Sequence, residues 1–246
     1  MRGAFHLLQP RTGFRAGLDA LLLAACPPPE SEGRAADLGS GSGVVGLAAA
    51  ARCPGLAVTL VEKDPAMADL SRRSLMLEEN AALAPRLSVA VADLLAGRAG
   101  REAAGLKDGA FGLILTNPPF HPAGGRASPD ARRDAARAMP EAGFLQRWLA
   151  SASALLAHGG TLFLVARPDN LPAILEAGEG RYGDIRIRPV QPSAGRRASR
   201  ILVSARRGSK APLSLLPPIV LAEEDGRPSD VATAIGEGRA TVGFEI

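Results

Sequence analysis

The most specific chemistry in the chain is the tetrapeptide Asn117-Pro118-Pro119-Phe120. Two successive prolines remove two backbone donors and stiffen the turn they occupy. The nearby carbonyls then have no proline N–H to pair with locally, so they can accept hydrogen bonds from a substrate. Asn117 adds a side-chain carbonyl beside them. Such a cluster can grip an NH2 group on a flat ring, and Phe120 offers a face for that ring, a stacking contact worth roughly 1–3 kcal/mol for a base. In an arbitrary loop these four residues would read as a rigid turn with a core phenylalanine. Here they follow directly on the apolar run from Phe111 to Thr116, which predicts a buried strand. Asparagine is also rare, occurring only at Asn80, Asn117 and Asn170, so composition does not account for it. His121, next in line, reads as a loop histidine rather than a catalytic base.

A second chemical feature is Gly39-Ser40-Gly41-Ser42-Gly43, between a strand at Arg34 to Leu38 and a helix at Val44 to Arg52. Glycines there let the backbone approach a ligand closely and set it at the helix N-terminus. A second strand, Ala57 to Val61, ends at Glu62, about 20 residues on, the spacing of a carboxylate that grips ribose hydroxyls. Together these predict a nucleoside-bearing cofactor at the carboxyl edge of a doubly wound sheet. The loop alone does not select it: Gly41-Ser42-Gly43-Val44-Val45-Gly46 satisfies the dinucleotide pattern G-x-G-x-x-G. An NAD(P)-dependent Rossmann oxidoreductase is therefore one reading. Asp37 argues against it, because an acid entering the loop suits a cationic cofactor group and would repel a pyrophosphate.

Positioning these residues requires alternating strands and helices, and the pattern supplies them. Asp64-Pro65 predicts an N-cap followed by proline at the first helical position. Met67, Leu70, Ser74 and Leu77 mark one face of that helix. A third strand, Leu87 to Val91, precedes Asp93, which by itself reads equally as a helix cap. After a polar loop from Pro122 to Ala138, a long helix carries Phe144, Leu145, Trp148, Leu149, Ala152, Leu155 and Leu156, with Gly159-Gly160 as its stop. Thr161 to Ala166 is a fifth strand. Ile185 to Val190 and Ile201 to Ala205 predict an antiparallel pair around a basic turn with Arg196, Arg197 and Arg200. Leu18 to Ala25 is an early helix stopped by three prolines.

Composition bounds these readings. With 246 residues, 46% hydrophobic and 22% charged, the chain is ordinary globular material. One α/β domain is expected, without an internal repeat. No run approaches the ~18 apolar residues of a membrane span, and no signal-peptide core precedes it. Cys26 and Cys53 cannot form a disulfide framework and belong to no metal-ligand cluster, so a reducing cytoplasm and no metal are expected. Of 29 basic residues only Lys63, Lys107 and Lys210 are lysines. The arginine excess fits either phosphate contacts or the codon bias of a GC-rich genome.

Asp37-Leu38-Gly39-Ser40-Gly41-Ser42-Gly43 resembles the first motif of class I S-adenosylmethionine-dependent methyltransferases, an acid followed by G-x-G-x-G. The resemblance implies an α/β, Rossmann-like fold, a mostly parallel seven-stranded sheet with helices on both faces and a terminal antiparallel strand pair. It implies S-adenosyl-L-methionine as cofactor. Asp37, Gly39, Ser40, Gly41 and Gly43 would lie at its methionine end, Glu62 with Lys63 at the ribose, and Asp93 at the adenine amino group. Asn117-Pro118-Pro119-Phe120 is similar to the [N/D]-P-P-[Y/F/W] motif of enzymes that methylate planar exocyclic or amide nitrogens. Its four residues would be catalytic, with Asn117 also bordering the cofactor.

The whole chain resembles the bacterial tRNA1(Val) (adenine-37-N6)-methyltransferase family. Residues Leu8 to Ala25 match its N-terminal signature, in which a Gly–x–Asp segment covers the cofactor; Asp19 and Arg15 become cofactor-side candidates. Arg126, Arg132, Arg133 and Arg137 fall where that family has its substrate-side loop, and Leu216 to Asp230 resembles its C-terminal end. The partner implied is RNA, a tRNA first, with adenine N6 as acceptor; no oligomeric state is implied. Phe120 departs from the commoner tyrosine, and the N-terminus is short. The related N-P-P motifs of ribosomal-RNA guanine-N2 and release-factor glutamine-N5 methyltransferases give the alternatives, though both usually carry an added N-terminal domain. The expected organisation is one domain over 1–246: a cofactor-covering segment at 1–30, a catalytic core at 34–206 and an extension at 207–246.

Overall fold

Five apolar runs linked by crossovers build a parallel sheet, as helices covering both faces of such strands require. They are β1 (Glu32–Leu38), β2 (Gly55–Glu62), β3 (Leu87–Val91), β4 (Phe111–Thr116) and β5 (Leu156–Ala166). The computed structural model describes residues 4–11, 17–119, 121–122, 138–139 and 143–244. In space the parallel strands run β3-β2-β1-β4-β5. The chain then forms a hairpin of β6 (Tyr182–Ser193) and β7 (Arg200–Arg207). It is β7 that inserts antiparallel between β5 and β6, so one strand alone of the seven runs against the rest. Two short strands of the C-terminal extension, β8 (Ser214–Leu215) and β9 (Ile219–Ala222), pair in parallel with the outer edge of β6. The expected seven strands are present, and the extension brings the sheet to nine.

Alternation along each strand sends side chains to two cores. On one face α1 (Leu18–Ala24) and α2 (Val44–Arg52) pack Leu22, Leu23, Ala48 and Ala49 against Ala35, Leu56, Leu60 and Leu115. On the other, α5 (Phe144–Leu155) and α6 (Leu171–Gly178) pack Leu145, Trp148, Leu149 and Ile174 against Leu38, Ile114 and Leu164. Leu22, Leu23, Leu145 and Leu149 are almost wholly buried, each worth about 1.5–3 kcal/mol relative to exposure.

α3 (Pro65–Leu75) begins as expected, with Asp64 accepting from the Ala66 N–H at 2.8 Å and Pro65 at the first helical position. Its buried face agrees with expectation at Ser74 and differs at the other positions. Ala68, Ser71 and Ser74 face inward, while Met67 and Leu70 are half-buried. Small residues win there because Ser71 hydrogen-bonds the Gly41 carbonyl at 3.2 Å, and Ser74 accepts the Leu8 N–H at 2.9 Å. α5 also ends earlier than Gly159-Gly160 suggests. Leu156 turns extended and starts β5 at once. The two glycines serve a register shift opposite Phe111 and Leu113, where a Cβ on Gly160 would come within 3.0 Å of the Gly112 carbonyl. The short helix α4 (Gly97–Ala103) follows β3, and α7 (Asp230–Gly236) closes the chain, capped by Ser229.

The first and last described segments are pinned to this frame. Asn80 exchanges two hydrogen bonds with the His6 backbone, at 2.9 and 2.7 Å. The Val242 N–H bonds the Ala25 carbonyl, and Arg186 and Arg188 bind the carbonyls of Phe244 and Gly243.

Candidate functional site

Strand order reverses between β1 and β4, and doubly wound sheets bind ligands beyond the carboxyl ends of strands at such a point. Register shows what converges there. Leu38 pairs with Thr116 on one side and Val61 on the other, while Glu62 pairs with Val91. Gly39, Asn117, Glu62 and Asp93 therefore leave neighbouring strands at nearly one level.

The glycine loop is held from several sides. Gly39 and Ser40 donate to the Val61 carbonyl at 2.9 and 3.0 Å, and Gly43 donates to the Ser40 carbonyl at 2.8 Å. One Glu62 carboxylate oxygen accepts the Gly41 N–H at 2.8 Å and the other the Asp64 N–H at 2.9 Å. A carboxylate offers about four lone-pair positions, so Glu62 retains acceptor capacity for two hydroxyls. Gly39, Gly41 and Gly43 all have positive φ, which a side chain would strain. A Cβ on Gly43 would also lie 2.8 Å from Leu60.

Asp37 sits beneath the loop, 1% exposed, and its carboxylate accepts the Gly46 N–H at 2.9 Å. Burial pushes its carboxyl up to about 7; the Gly46 hydrogen bond opposes that rise and the Glu62 charge adds to it. A cation brought to the loop would favour the ionised form. Gly46, the third glycine of the G-x-G-x-x-G pattern, packs helix on strand, as that position does in such patterns: a Cβ there would stand 2.1 Å from Leu60. Among the described residues the buried Ser40 hydroxyl has no hydrogen-bond partner, so it has a donor and acceptors to offer a ligand. Close-approach glycines, an unsatisfied Ser40 hydroxyl, spare Glu62 acceptors and a buried acid fit a cationic, ribose-bearing cofactor.

Beside the loop, Asn117 is half-buried, Pro118 buried and Pro119 half-buried. Two residues that sequence reasoning missed as site residues support them. The Thr116 hydroxyl donates to the Leu38 carbonyl at 3.0 Å, and the Trp148 indole N–H donates to that hydroxyl at 3.0 Å. The indole edge also lies where a Cβ on Gly39 would come within 3.2 Å of it. Trp148 shows the periodicity of a core position, so its pattern carried no separate signal for this second contact.

The remaining candidates are placed as follows. Asp93 is exposed and accepts the Leu95 N–H at 2.8 Å, the capping-type turn that its sequence also allowed. Lys63 is exposed next to Glu62. Asp19 is ion-paired with Arg200 at 2.8 Å, tying the start of α1 to the start of β7. Phe120, Arg15, Arg126, Arg132, Arg133 and Arg137 lie outside the described residues, and His121 is described only through its backbone pairing with Ala138. Arg196 and Arg197 are exposed in the β6–β7 turn, on the carboxyl side of the sheet. Among the described residues no group of three or more His, Cys, Asp or Glu side chains could hold a metal ion.

This strand order, with β7 reversed and the glycine loop after β1, is that of a class I S-adenosylmethionine-dependent methyltransferase. The family model described as methyltransferase small domain matches residues 16–177. A tRNA1(Val) (adenine(37)-N6)-methyltransferase of Porphyromonas gingivalis is 30% identical over 215 residues, covering 84% of this chain and 80% of that protein. Its namesake from Aeromonas hydrophila is 31% identical over 83% of this chain and 81% of its own length. A solved Agrobacterium tumefaciens structure, described as a predicted O-methyltransferase, is 33% identical with a TM-score of 0.79, covering 93% of this chain and all of that one. The chain belongs to the methyltransferase small domain family and, within it, to the family of the tRNA1(Val) (adenine(37)-N6)-methyltransferases. It is an S-adenosylmethionine-dependent methyltransferase, which overturns the oxidoreductase reading of Gly41–Gly46. The physical reason is Asp37, buried directly beneath the loop, whose carboxylate suits a cationic group and would repel a pyrophosphate.

Proposed function

We propose that the protein methylates the exocyclic N6 amino group of an adenine in tRNA. The observation that carries this reading is the pairing of Leu38 with Thr116, which sends the glycine loop and Asn117-Pro118-Pro119 out of the sheet side by side. The names of the relatives over some four-fifths of the chain support tRNA as the substrate. The bound cofactor supplies an electrophilic methyl group on a sulfonium. Gly39, Ser40, Gly41 and Gly43, with Asp37, would hold its methionine end, Glu62 would take the ribose hydroxyls, Lys63 and Asp93 would serve the nucleoside, and Asp19 would belong to the covering segment. The Asn117 side-chain carbonyl and the Pro118 carbonyl accept the two amino protons, which frees the nitrogen lone pair for in-line attack. Pro119 keeps the turn rigid, and Phe120 stacks on the base. No strong base is needed: the donor would leave as a neutral thioether, and the methylated nitrogen, cationic once formed, gives its surplus proton to water; positioning and fixed dipoles lower the barrier.

A base must leave its stack to reach such a pocket, and exposed cations suit the phosphates around it. Arg126, Arg132, Arg133 and Arg137 are proposed for that contact, together with Arg196 and Arg197. We take residues 1–246 as one methyltransferase domain acting in the cytoplasm; among the described residues no helix is long and apolar enough to cross a membrane.

Labelled S-adenosylmethionine incubated with bulk tRNA from a strain lacking the protein tests the substrate. Label in N6-methyladenosine is expected. Label only in ribosomal RNA guanine or in a release factor would replace the assignment. The second of these has its own support, since a Deinococcus radiodurans release factor glutamine methyltransferase is 35% identical over 57% of this chain. Asn117→Ala should lose transfer by 100-fold or more, on the order of the loss when a positioned polar group is removed, with S-adenosylhomocysteine affinity kept.

A further inference from the structure

We infer that Trp148 and Thr116 act as positioning residues that set the distance between the cofactor loop and the acceptor motif. Gly39 opens the loop that holds the methyl donor, and Asn117 opens the motif that holds the amino group. Each is preceded by the last residue of its strand, Leu38 and Thr116, which are register partners. Backbone pairing fixes these strands within the sheet but not the direction in which each chain leaves it. The side chains supply that second constraint. The Thr116 hydroxyl is fully buried and donates to the Leu38 carbonyl at 3.0 Å, which ties the two exit points together. The Trp148 indole N–H donates to the same hydroxyl at 3.0 Å and fixes its orientation.

The indole acts a second time through shape. Its far edge lies against Gly39, where even a methyl group would come within 3.2 Å. One rigid ring therefore touches the first residue of the loop and hydrogen-bonds the residue before Asn117. Phe144, one turn earlier in α5, backs the ring with centroids 5.4 Å apart. Trp148 is the only tryptophan in the chain, and a purely apolar side chain would pack on Gly39 without orienting the hydroxyl. In-line transfer is steep in distance, and an ångström of misplacement can cost about 100-fold in rate. The inference rests on the reading of Asn117 as the acceptor-side residue.

The test compares Thr116→Val, Thr116→Ser, Trp148→Phe and the double variant Thr116→Val/Trp148→Phe. kcat and KM are measured with labelled S-adenosylmethionine and bulk tRNA, and S-adenosylhomocysteine Kd by calorimetry. Thr116→Val preserves shape and removes only the hydroxyl, so it should fold and lose kcat by tenfold or more while Kd stays within about twofold. Thr116→Ser should restore most of the rate. Trp148→Phe should resemble Thr116→Val, and the double variant should be no worse than either, because both break one chain of hydrogen bonds. A folded Thr116→Val with wild-type kcat would overturn the inference. So would a Thr116→Ser as slow as Thr116→Val, or a loss of kcat matched by an equal loss of cofactor affinity. Should Trp148→Phe fail to fold, the two Thr116 variants decide alone. Asn117→Ala separates the two readings: if it is inactive while Thr116→Val is not, only the positioning role falls; if it remains active, the assignment of Asn117 falls.

Discussion

Raising the pH of the cofactor-free protein from about 4 to 7 should remove a contribution that Asp37 makes to its stability. Its carboxyl is raised from 3.8 to about 7 in the folded state, chiefly by burial. In the unfolded chain the group loses its proton first, so the native state binds one proton more throughout that window. Stability is then fully present below the unfolded value and is lost as pH rises through the folded one. The slope approaches 1.4 kcal/mol per pH unit between about 4.5 and 6.5 and flattens above 7. From pH 5 to 8 the loss is on the order of 2–3 kcal/mol, opposite in sign to the usual gain from paired carboxylates. Urea unfolding at half-unit pH steps measures it, with Asp37→Asn as the control, since an amide carbonyl can still accept the Gly46 N–H. The difference between the wild-type and Asp37→Asn curves isolates this group. Curves that stay parallel from pH 4.5 to 7 would refute the argument. Saturating S-adenosylmethionine should reduce the difference, because a bound cation favours the ionised carboxylate.

Three further outcomes follow from the geometry. Gly46→Ala places a methyl 2.1 Å from a Leu60 carbon that is fully buried; it should destabilise by about 1–3 kcal/mol in denaturant melts, and a neutral result would mean that α2 can lift off β2. Arg196→Ala/Arg197→Ala should flatten the plot of log tRNA affinity against log salt by up to about 1.5 units if both arginines neutralise phosphates, and an unchanged slope would return them to the solvated surface. Cys26 and Cys53 are free and buried, with burial pushing both thiols up; a thiol reagent should label neither until denaturant is added, and rapid labelling of the native protein would contradict the packing of α1 on α2.

Patterns carried by neighbours in sequence were legible before any coordinates. Leu87–Val91, Phe111–Thr116 and the helix Val44–Arg52 have the expected bounds, because apolar periodicity and a flanking glycine or proline act locally. Asp64 capping α3 was readable for the same reason. The face of α3 was legible at Ser74 but not at Ser71, since hydrophobicity marked Met67 and Leu70, whereas the Gly41 carbonyl called for a hydroxyl at Ser71. Nor was the partner of Asp19, for Arg200 lies far along the chain on β7.

The candidate site divides along the same line. Residue types and short spacings sufficed to name Asp37, the glycine loop, Glu62 and Asn117-Pro118-Pro119-Phe120, because each motif needs its chemistry within a few bonds. That Asp37 lies buried beneath that loop, bonded to the Gly46 N–H, was visible only in the folded chain. Joining loop to motif required a strand order in which β4 lies beside β1, and an indole from α5 reaching both exit points. Those relations depend on which surfaces meet once both faces of the sheet are covered, a property of the whole packed chain that no local window of residues carries.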